Sequence, residues 1–295
     1  MSPRSATASS SERTIAFQGV PGAYSDLACS IVYPDWTTLP CETFEDAFQA
    51  VGEGAAKLAM IPIENSVAGR VADVHHLMPA SGLHIIAEHF QRIQHQLLAP
   101  KGAALAGIKT VHSHVHALSQ CRKFLRAMGL KAVVHADTAG SAADVAAAGD
   151  PTVAAIASSL AAKRYGLDVL KADIEDAEHN TTRFLVLSRD TVSPDPRKGP
   201  VMTSIVFRVR NVPAALYKAM GGFATNGINL TKLESYMLGG RFSATQFYAD
   251  CEGHPEERNL RLALEELGFF SKELKILGVY PAHPFRYRAE ASAED

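Results

Sequence analysis

His179, Asn180, Thr181, Thr182 and Arg183 stand directly before the apolar run Phe184, Leu185, Val186 and Leu187. The run reads as a buried strand, so hydroxyl, amide and guanidinium groups are concentrated at a strand's mouth. If Thr182 and Arg183 are both extended, they point to opposite faces. One can then serve a site while the other reaches around its rim. Three more polar clusters occupy comparable places. "QGVPGAYS" (18–25) leaves a predicted strand through two glycines and a proline and enters a helix, whose first backbone amides favour anions. A tight βα turn would use the same residues. "IPIENSVAGRV" (61–71) follows a buried strand with Glu64, Asn65 and Ser66, a set that also suits a helix N-cap. "VHSHVHALSQC" (111–121) places Ser113 among the alternate histidines His112, His114 and His116.

These clusters exclude several chemistries. The histidines of 112–116 invite a metal, but no acidic partner or further histidine lies at helical spacing, and no metal is expected. His75-His76 lacks the H-E-x-x-H context. Neither G-x-G-x-x-G nor G-x-x-x-x-G-K-[ST] occurs, and no G-x-S-x-G elbow announces a serine hydrolase. No cofactor is expected. Amides, hydroxyls and one arginine suit a polyoxygenated acid more than a metal or a nucleotide. Ligands of open α/β sheets bind at strand ends, which is where these groups fall.

The elements that must hold them alternate. "RTIAFQG", "AKLAMIPI", "IKTVHS", "KAVVHAD", "TVAAIAS" and the 184–187 run read as strands, with helices at "AYSDLACSIVYP", "VHALSQCRKFLRAMG", "AGSAADVAAAG" and "SLAAKRYG". "HIIAEHFQRIQHQLLAP" reads as extended. Such alternation predicts an α/β fold with mostly parallel sheet. The seam "RDTVSPDPRKGP" (189–200) carries three prolines, a glycine and five charges in twelve positions and reads as a linker. Beyond it the order changes to βαββαβ: "TSIVFRVR", "VPAALYKAMGGFATNG", "INLTKLESYML", "RFSATQFYAD", "PEERNLRLALEELGFF" and "KELKILGVYP". Gly239-Gly240 marks a hairpin turn. The predicted division is a disordered tail at 1–12, a first domain at 13–190, a linker at 191–200, a second domain at 201–283 and a tail at 284–295.

The 295 residues are 47% hydrophobic and 20% charged with net charge −2, as in a soluble globular protein without an overall basic field. Neither nucleic acid nor membrane is an expected partner, and no run reaches the roughly 18 apolar residues of a membrane span. The Ser-rich N-terminus lacks the apolar core of a secretory signal. Cys29, Cys41, Cys121 and Cys251 show no CxxC spacing and read as reduced thiols of a cytoplasmic protein.

In "IAFQGVPGAYS", "IPIENSVAGRV", "HSHVHALSQC", "DTAGSAA" and "HNTTRFLVLS" the chain resembles the prephenate dehydratases that carry a C-terminal ACT regulatory domain, over roughly residues 13–283. The Thr182-Arg183-Phe184 triplet is the most specific mark. The resemblance implies a two-lobed, periplasmic-binding-protein-like catalytic domain, followed by a ferredoxin-like βαββαβ module. It implies loss of carbon dioxide and the ring hydroxyl from prephenate to give phenylpyruvate, in phenylalanine biosynthesis. Thr182 is then the donor to the departing hydroxyl, Arg183 a holder of a substrate carboxylate, and Phe184 a neighbour of the site. Asn65, Ser66, Ser113 and Gln120 match polar catalytic positions, and Gly22, Ala23, Tyr24, Ser25 and Glu64 match substrate-binding ones. After Ser113-His114 the family usually has Pro-Gln, where this chain has Val115-His116.

The same resemblance makes L-phenylalanine an allosteric effector. Its expected contacts are Asn211, Pro213, Ala214, Ala215 and Leu216, with Asn229, Leu230, Leu233, Glu234 and Ser235. Ala214 replaces the usual glycine, and Tyr236-Met237 replace the usual Arg-Pro after Glu-Ser. A homodimer or homotetramer is expected. Two alternatives stand beside this reading: the same chemistry on arogenate, and a non-catalytic small-molecule sensor.

Overall fold

The computed structural model describes residues 11–237 and 244–287. The Gly239-Gly240 turn and most of both expected tails lie outside the described residues. The chain divides into two compact units, one running up to Val71 together with His89–Phe184, the other joining Ala72–Glu88 to Leu185 and beyond.

The first unit has two lobes. One begins with β1 (Thr14–Gln18), α1 (Tyr24–Val32), β2 (Thr37–Cys41), α2 (Phe44–Gly52), β3 (Leu58–Asn65) and the short β4 (Gly69–Arg70). β1 runs parallel to both β2 and β3. Ile15, Ala16 and Phe17, like Ala59, Met60 and Ile61, are fully buried, as strands covered on both faces require. β2 and α2 go beyond the elements read from sequence, although Thr43 and Asp46 close a capping box at the start of α2. β5 (His84–Arg92) and β11 (Thr181–Ser188) each pass from one unit into the other. Their first-unit residues extend this sheet in the order β5-β11-β3-β1-β2.

The other lobe holds β6 (Gln96–Ala99), β7 (Thr110–His114), α4 (Val115–Gln120), α5 (Arg122–Ala127), β8 (Lys131–His135), α6 (Thr138–Ala148), β9 (Val153–Ala157), α7 (Ser159–Tyr165) and β10 (Asp168–Lys171). Its sheet order is β10-β6-β9-β7-β8. β7 is parallel to β8 and β9, while β6 is antiparallel to β9 and β10. The single helix expected over 115–129 breaks at Cys121 (φ −119°, ψ 21°). The break is used: Asp176 N donates to the Gln120 carbonyl at 2.6 Å, and Lys123 N donates to Asp176 Oδ1 at 3.1 Å. A segment returning toward β11 thus caps both broken ends.

The second unit contains β12 (Val201–Val209), α8 (Ala215–Thr225), β13 (Leu230–Met237), β14 (Ala244–Glu252), α9 (Arg258–Phe270) and β15 (Ser271–Pro281), in sheet order β13-β14-β12-β15. This is the expected βαββαβ order. Ile205, Phe207 and Val209 alternate inward on β12 and meet Phe223 of α8 and Leu260, Leu264 and Leu267 of α9. Ala72–Glu88 packs with the same unit. It contributes α3 (Ala72–Leu77), whose His75 ring lies 5.8 Å from Tyr236 and 5.1 Å from Tyr248. Further along, the Pro79 carbonyl accepts from Lys275 Nζ at 2.8 Å, and Ile85 pairs with Gly278.

Residues 72–88 therefore leave the linear domain expected at 13–190. At the other end, the tail expected from 284 begins with an anchor. Arg286 donates to both carboxylate oxygens of fully buried Glu88, at 2.7 and 2.8 Å. No described helix is long and apolar enough to cross a membrane.

Candidate active site

The end of β3 and the start of β11 meet side by side, with Ser66 N donating to the Thr181 carbonyl at 2.9 Å. Alternation along the two strands sorts their polar residues into two pairs. Asn65 faces Thr182, and Glu64 faces Arg183. In the first pair, Asn65 Nδ2 donates to Thr182 Oγ1 at 2.9 Å and to Asn180 Oδ1 at 2.8 Å. Asn65 Oδ1 accepts the backbone amides of Val67 and Ala68, at 2.9 and 2.8 Å. Backbone N–H groups can only donate, so the amide cannot be turned round. Thr182 Oγ1 is held as an acceptor toward Asn65, and its own O–H remains to donate elsewhere.

The second pair has a different role. Arg183 is only 3% exposed, and its guanidinium donates to Glu64 Oε1 at 3.0 Å. It also stands 5.9 Å from the Phe90 ring. The expected fork onto a substrate carboxylate is not the arrangement found, because a buried guanidinium needs an anionic partner and Glu64 supplies it. Glu64, expected to bind substrate, is half-buried and holds this ion pair. Phe184, expected beside the site, is 1% exposed and belongs to the core of β11.

A line of amides leads away from the Asn65–Thr182 pair. Asn180 Nδ2 donates to Gln120 Oε1 at 2.9 Å. The same oxygen lies 2.8 Å from His95 Nε2, and His95 Nδ1 lies 2.7 Å from Tyr24 Oη. Asn65, Gln120, Tyr24 and Thr182 are thus joined through Asn180, a member of the polar cluster before β11 that had no expected role, and through His95, which no motif marked. Asn180 and His95 are almost fully buried, at 1% and 2%. Each is a polar residue beside an apolar run, the signal that marked Thr182. Burial holds the His95 imidazole below its ordinary pKa, while its Gln120 bond and the Glu175 charge act the other way. Burial pushes the Tyr24 phenol well up, with Cys121 and Glu175 adding to the shift.

The remaining expected residues are scattered around this line. Ser66 is a clasp: its hydroxyl donates to the His179 carbonyl at 2.7 Å and accepts from Thr181 N at 2.9 Å. Ser113 is fully buried and its hydroxyl donates to the Ile156 carbonyl of β9 at 2.6 Å. A side chain that faces the adjacent strand's backbone cannot also reach Thr182, so Ser113 does not join the cluster. Gly22 takes φ +90°, and a Cβ there would come within 3.0 Å of the Ala161 backbone. Ala23 caps α1 without a side-chain bond. Ser25 lies half-buried in the first turn of that helix. Buried Asp26, absent from the expected set, accepts Gly22 N at 2.8 Å and Arg164 at 3.0 Å. Ser158 Oγ donates to the Gly22 carbonyl at 2.6 Å. These bonds tie the α1 turn to α7. No group of three or more His, Cys, Asp or Glu among the described residues is arranged to hold a metal.

In the second unit, Asn211, Pro213 and Ala214 are exposed before α8, Asn229 is exposed just before β13, and Leu233 and Ser235 are exposed along it. Leu216 and Leu230 pack partly into the helix-side core, as does Ala215. Ala214 takes a left-handed conformation, φ +61°. Glu234 accepts from Lys232 at 3.3 Å.

A family model described as prephenate dehydratase matches residues 15–192. A protein of Komagataeibacter europaeus, named as a bifunctional N-acyl-homoserine lactone acylase/prephenate dehydratase, is 54% identical over 93% of this chain and 98% of its own. Arogenate dehydratase/prephenate dehydratase 1 of Arabidopsis thaliana is 39% identical over 90% of this chain and 71% of its own. Among solved structures, GqqA, described as a novel type of quorum-quenching acylase, superposes with a TM-score of 0.88 at 55% identity. It covers 93% of this chain and 100% of its own. A prephenate dehydratase of Arthrobacter aurescens in complex with L-Phe gives a TM-score of 0.82 at 32% identity, covering 95% and 97%.

Proposed function

Because this chain belongs to the prephenate dehydratase family, we propose that the Asn65–Thr182 site converts prephenate to phenylpyruvate, carbon dioxide and water. The ring's carboxylate–carbon bond breaks, its electron pair aromatises the ring, and the carbon–oxygen bond to the ring hydroxyl breaks. The departing hydroxide takes up one proton and leaves as water. Thr182 O–H supplies the hydrogen bond or the proton at that oxygen. Aromatisation drives the step, so a hydroxyl can suffice where a stronger acid would otherwise be needed. The observation that carries this reading is the orientation of Asn65: locked by two backbone amides, it donates to Thr182 Oγ1 and leaves the Thr182 proton for the substrate.

The test is phenylpyruvate formation from prephenate, read by absorbance in alkali. Thr182→Ala is expected to stay folded and lose at least about 100-fold in kcat, while Thr182→Ser keeps much more. A folded, fully active alanine variant sinks the assignment. Parallel kinetics with arogenate decide between keto and amino side chains, since the leaving-group chemistry is the same for both.

The regulatory reading extends from the βαββαβ order and from the L-Phe complex of the Arthrobacter relative. It treats 201–283 as an ACT-type module that binds L-phenylalanine through 211–216 and 229–235. It also makes the protein a cytoplasmic homodimer or homotetramer. Calorimetry with millimolar phenylalanine checks binding; no heat and no thermal shift overturns it. A second reading, N-acyl-homoserine lactone cleavage, is favoured by the Komagataeibacter relative. Release of free homoserine lactone by the purified protein tests it, and no release above a protein-free control rejects it.

A further inference from the structure

The hydrogen bonds around Thr182 share one direction, and it is set by backbone. Val67 N and Ala68 N force Asn65 Oδ1 toward themselves and Asn65 Nδ2 toward Asn180. Asn180 must meet that donor with Oδ1, which turns its own Nδ2 to Gln120. Gln120 must meet Asn180 with Oε1. His95 Nε2, 2.8 Å from that same oxygen, can then only be an N–H donor. With its proton on Nε2, neutral His95 presents a bare Nδ1 2.7 Å from Tyr24 Oη, whose single proton has two acceptors in reach, this nitrogen and the Gln94 carbonyl at 3.1 Å. Each assignment as far as His95 Nε2 follows from the one before, starting from two peptide N–H groups that cannot act as acceptors.

From this we propose that His95 is a positioning residue for the dehydration. Its Nε2–H, together with Asn180, saturates Gln120 Oε1 and so holds the Gln120 amide with its N–H2 group free to donate to the substrate. The proposal rests on the dehydratase reading and deepens it. His95 touches no reacting atom. It acts through Gln120, and Tyr24 acts on it in turn. The low pKa that burial imposes on His95 agrees with a neutral ring. An imidazolium would donate from Nδ1 as well, with the Tyr24 hydrogen turned to the Gln94 carbonyl; nitrogen NMR separates the two states. Position reinforces the point. His95 lies between β5 and β6, where the chain first passes from one lobe to the other, and Asn180 lies where it returns. The line therefore runs from α1 of one lobe through this crossing to α4 of the other.

Replacement of His95 separates donor geometry from mere bulk. A glutamine amide nitrogen lies about as far from Cα as Nε2 does, and an asparagine amide only about as far as Nδ1. His95→Gln can therefore still donate to Gln120, and His95→Asn cannot. We expect His95→Gln to stay within about fivefold of wild-type kcat/KM. His95→Asn should lose roughly 30-fold or more, most of it in kcat, because a misaligned donor costs orientation at the reacting centre. Tyr24→Phe, which keeps the ring and removes the hydroxyl that bonds His95 Nδ1 and the Gln94 carbonyl, should show a smaller loss in the same parameter. Imidazole nitrogen NMR of the wild-type protein near neutral pH should show the Nε2–H tautomer. Equal activity of the Gln and Asn variants, or an Nδ1–H tautomer, overturns the proposal. Wild-type protein that turns over neither prephenate nor arogenate overturns the underlying reading instead, so the two failures are told apart. If His95→Asn does not fold, the Tyr24→Phe kinetics and the tautomer still decide.

Discussion

Thr182 and Arg183 are neighbours with opposite duties, and strand geometry separates them. One side of β11 carries a hydroxyl to Asn65, the other a guanidinium to Glu64. Arg183→Lys is therefore a stability variant. A lysine offers one point charge where the buried fork sat, and it leaves Glu64 less well matched. We expect a loss of about 1–3 kcal/mol, read by denaturant unfolding, with KM changed by less than about threefold. A large KM increase at unchanged stability would return Arg183 to the substrate. Ala214 is a second residue-scale case. Its left-handed backbone, φ +61°, costs an alanine about 1 kcal/mol that a glycine does not bear. Ala214→Gly should raise the unfolding free energy by about 0.5–1 kcal/mol, less the entropy a glycine gives up. A lower melting temperature for this variant would show that the turn is held by something other than the conformation of residue 214.

At the scale of elements, breaks and crossings matter more than regular stretches. The interruption between α4 and α5 lets Asp176 dock between them, and it brings Gln120 to the end of a helix. β15 offers a comparable case in the second unit. Gly278 stands opposite Ile85, and a Cβ added there would run into the Ile85 carbonyl and side chain. Backbone on the other side cannot swing away as a flexible side chain can. Gly278→Ala should therefore part β15 from the first residues of β5 and cost roughly 2 kcal/mol. Hydrogen exchange at Ile85 and its neighbours is the measurement. Unchanged protection together with an unchanged midpoint counts against this account.

For the whole molecule, the decisive feature is that Ala72–Glu88 packs with the C-terminal unit. Val74, Met78, Leu83 and Ile85 of this segment are buried, and the Glu88 carboxylate is met by Arg286. A linear boundary near residue 190 implies a catalytic fragment that stands alone. The packing implies that a chain ending at Arg189 bares an apolar strip and leaves a buried carboxylate without its guanidinium. We expect this fragment to melt several degrees lower and to self-associate, as seen by light scattering, besides losing any response to phenylalanine. A monodisperse fragment with the full-length melting temperature contradicts this expectation. The same segment follows the Asn65 turn directly in the chain, so an effector that shifted β12–β15 would have a covalent route to the site. Such a route matters only if the effector binds two states of the protein unequally.

By itself the sequence determined the alternation of strands and helices, the βαββαβ order after residue 200, and the polar character of the strand mouths. Those features depend on local periodicity and on which residue types tolerate burial, and both are written along the chain. Through the family resemblance of its motifs it also marked Asn65, Gln120, Tyr24 and Thr182 as expected site residues. The tertiary structure alone decided which of the marked residues share a hydrogen-bond line. Ser113 and Arg183 carry the right chemistry, yet strand pairing commits one to a neighbouring carbonyl and the other to Glu64. His95 and Asn180 have no regular spacing to announce them. They matter because the two lobe crossings bring positions 65, 95, 120 and 180 within about 3 Å contacts of one another. Contacts so distant in sequence leave no periodic trace. For the same reason residues 72–88 could not be assigned to the second unit before their partners on β13–β15 were seen.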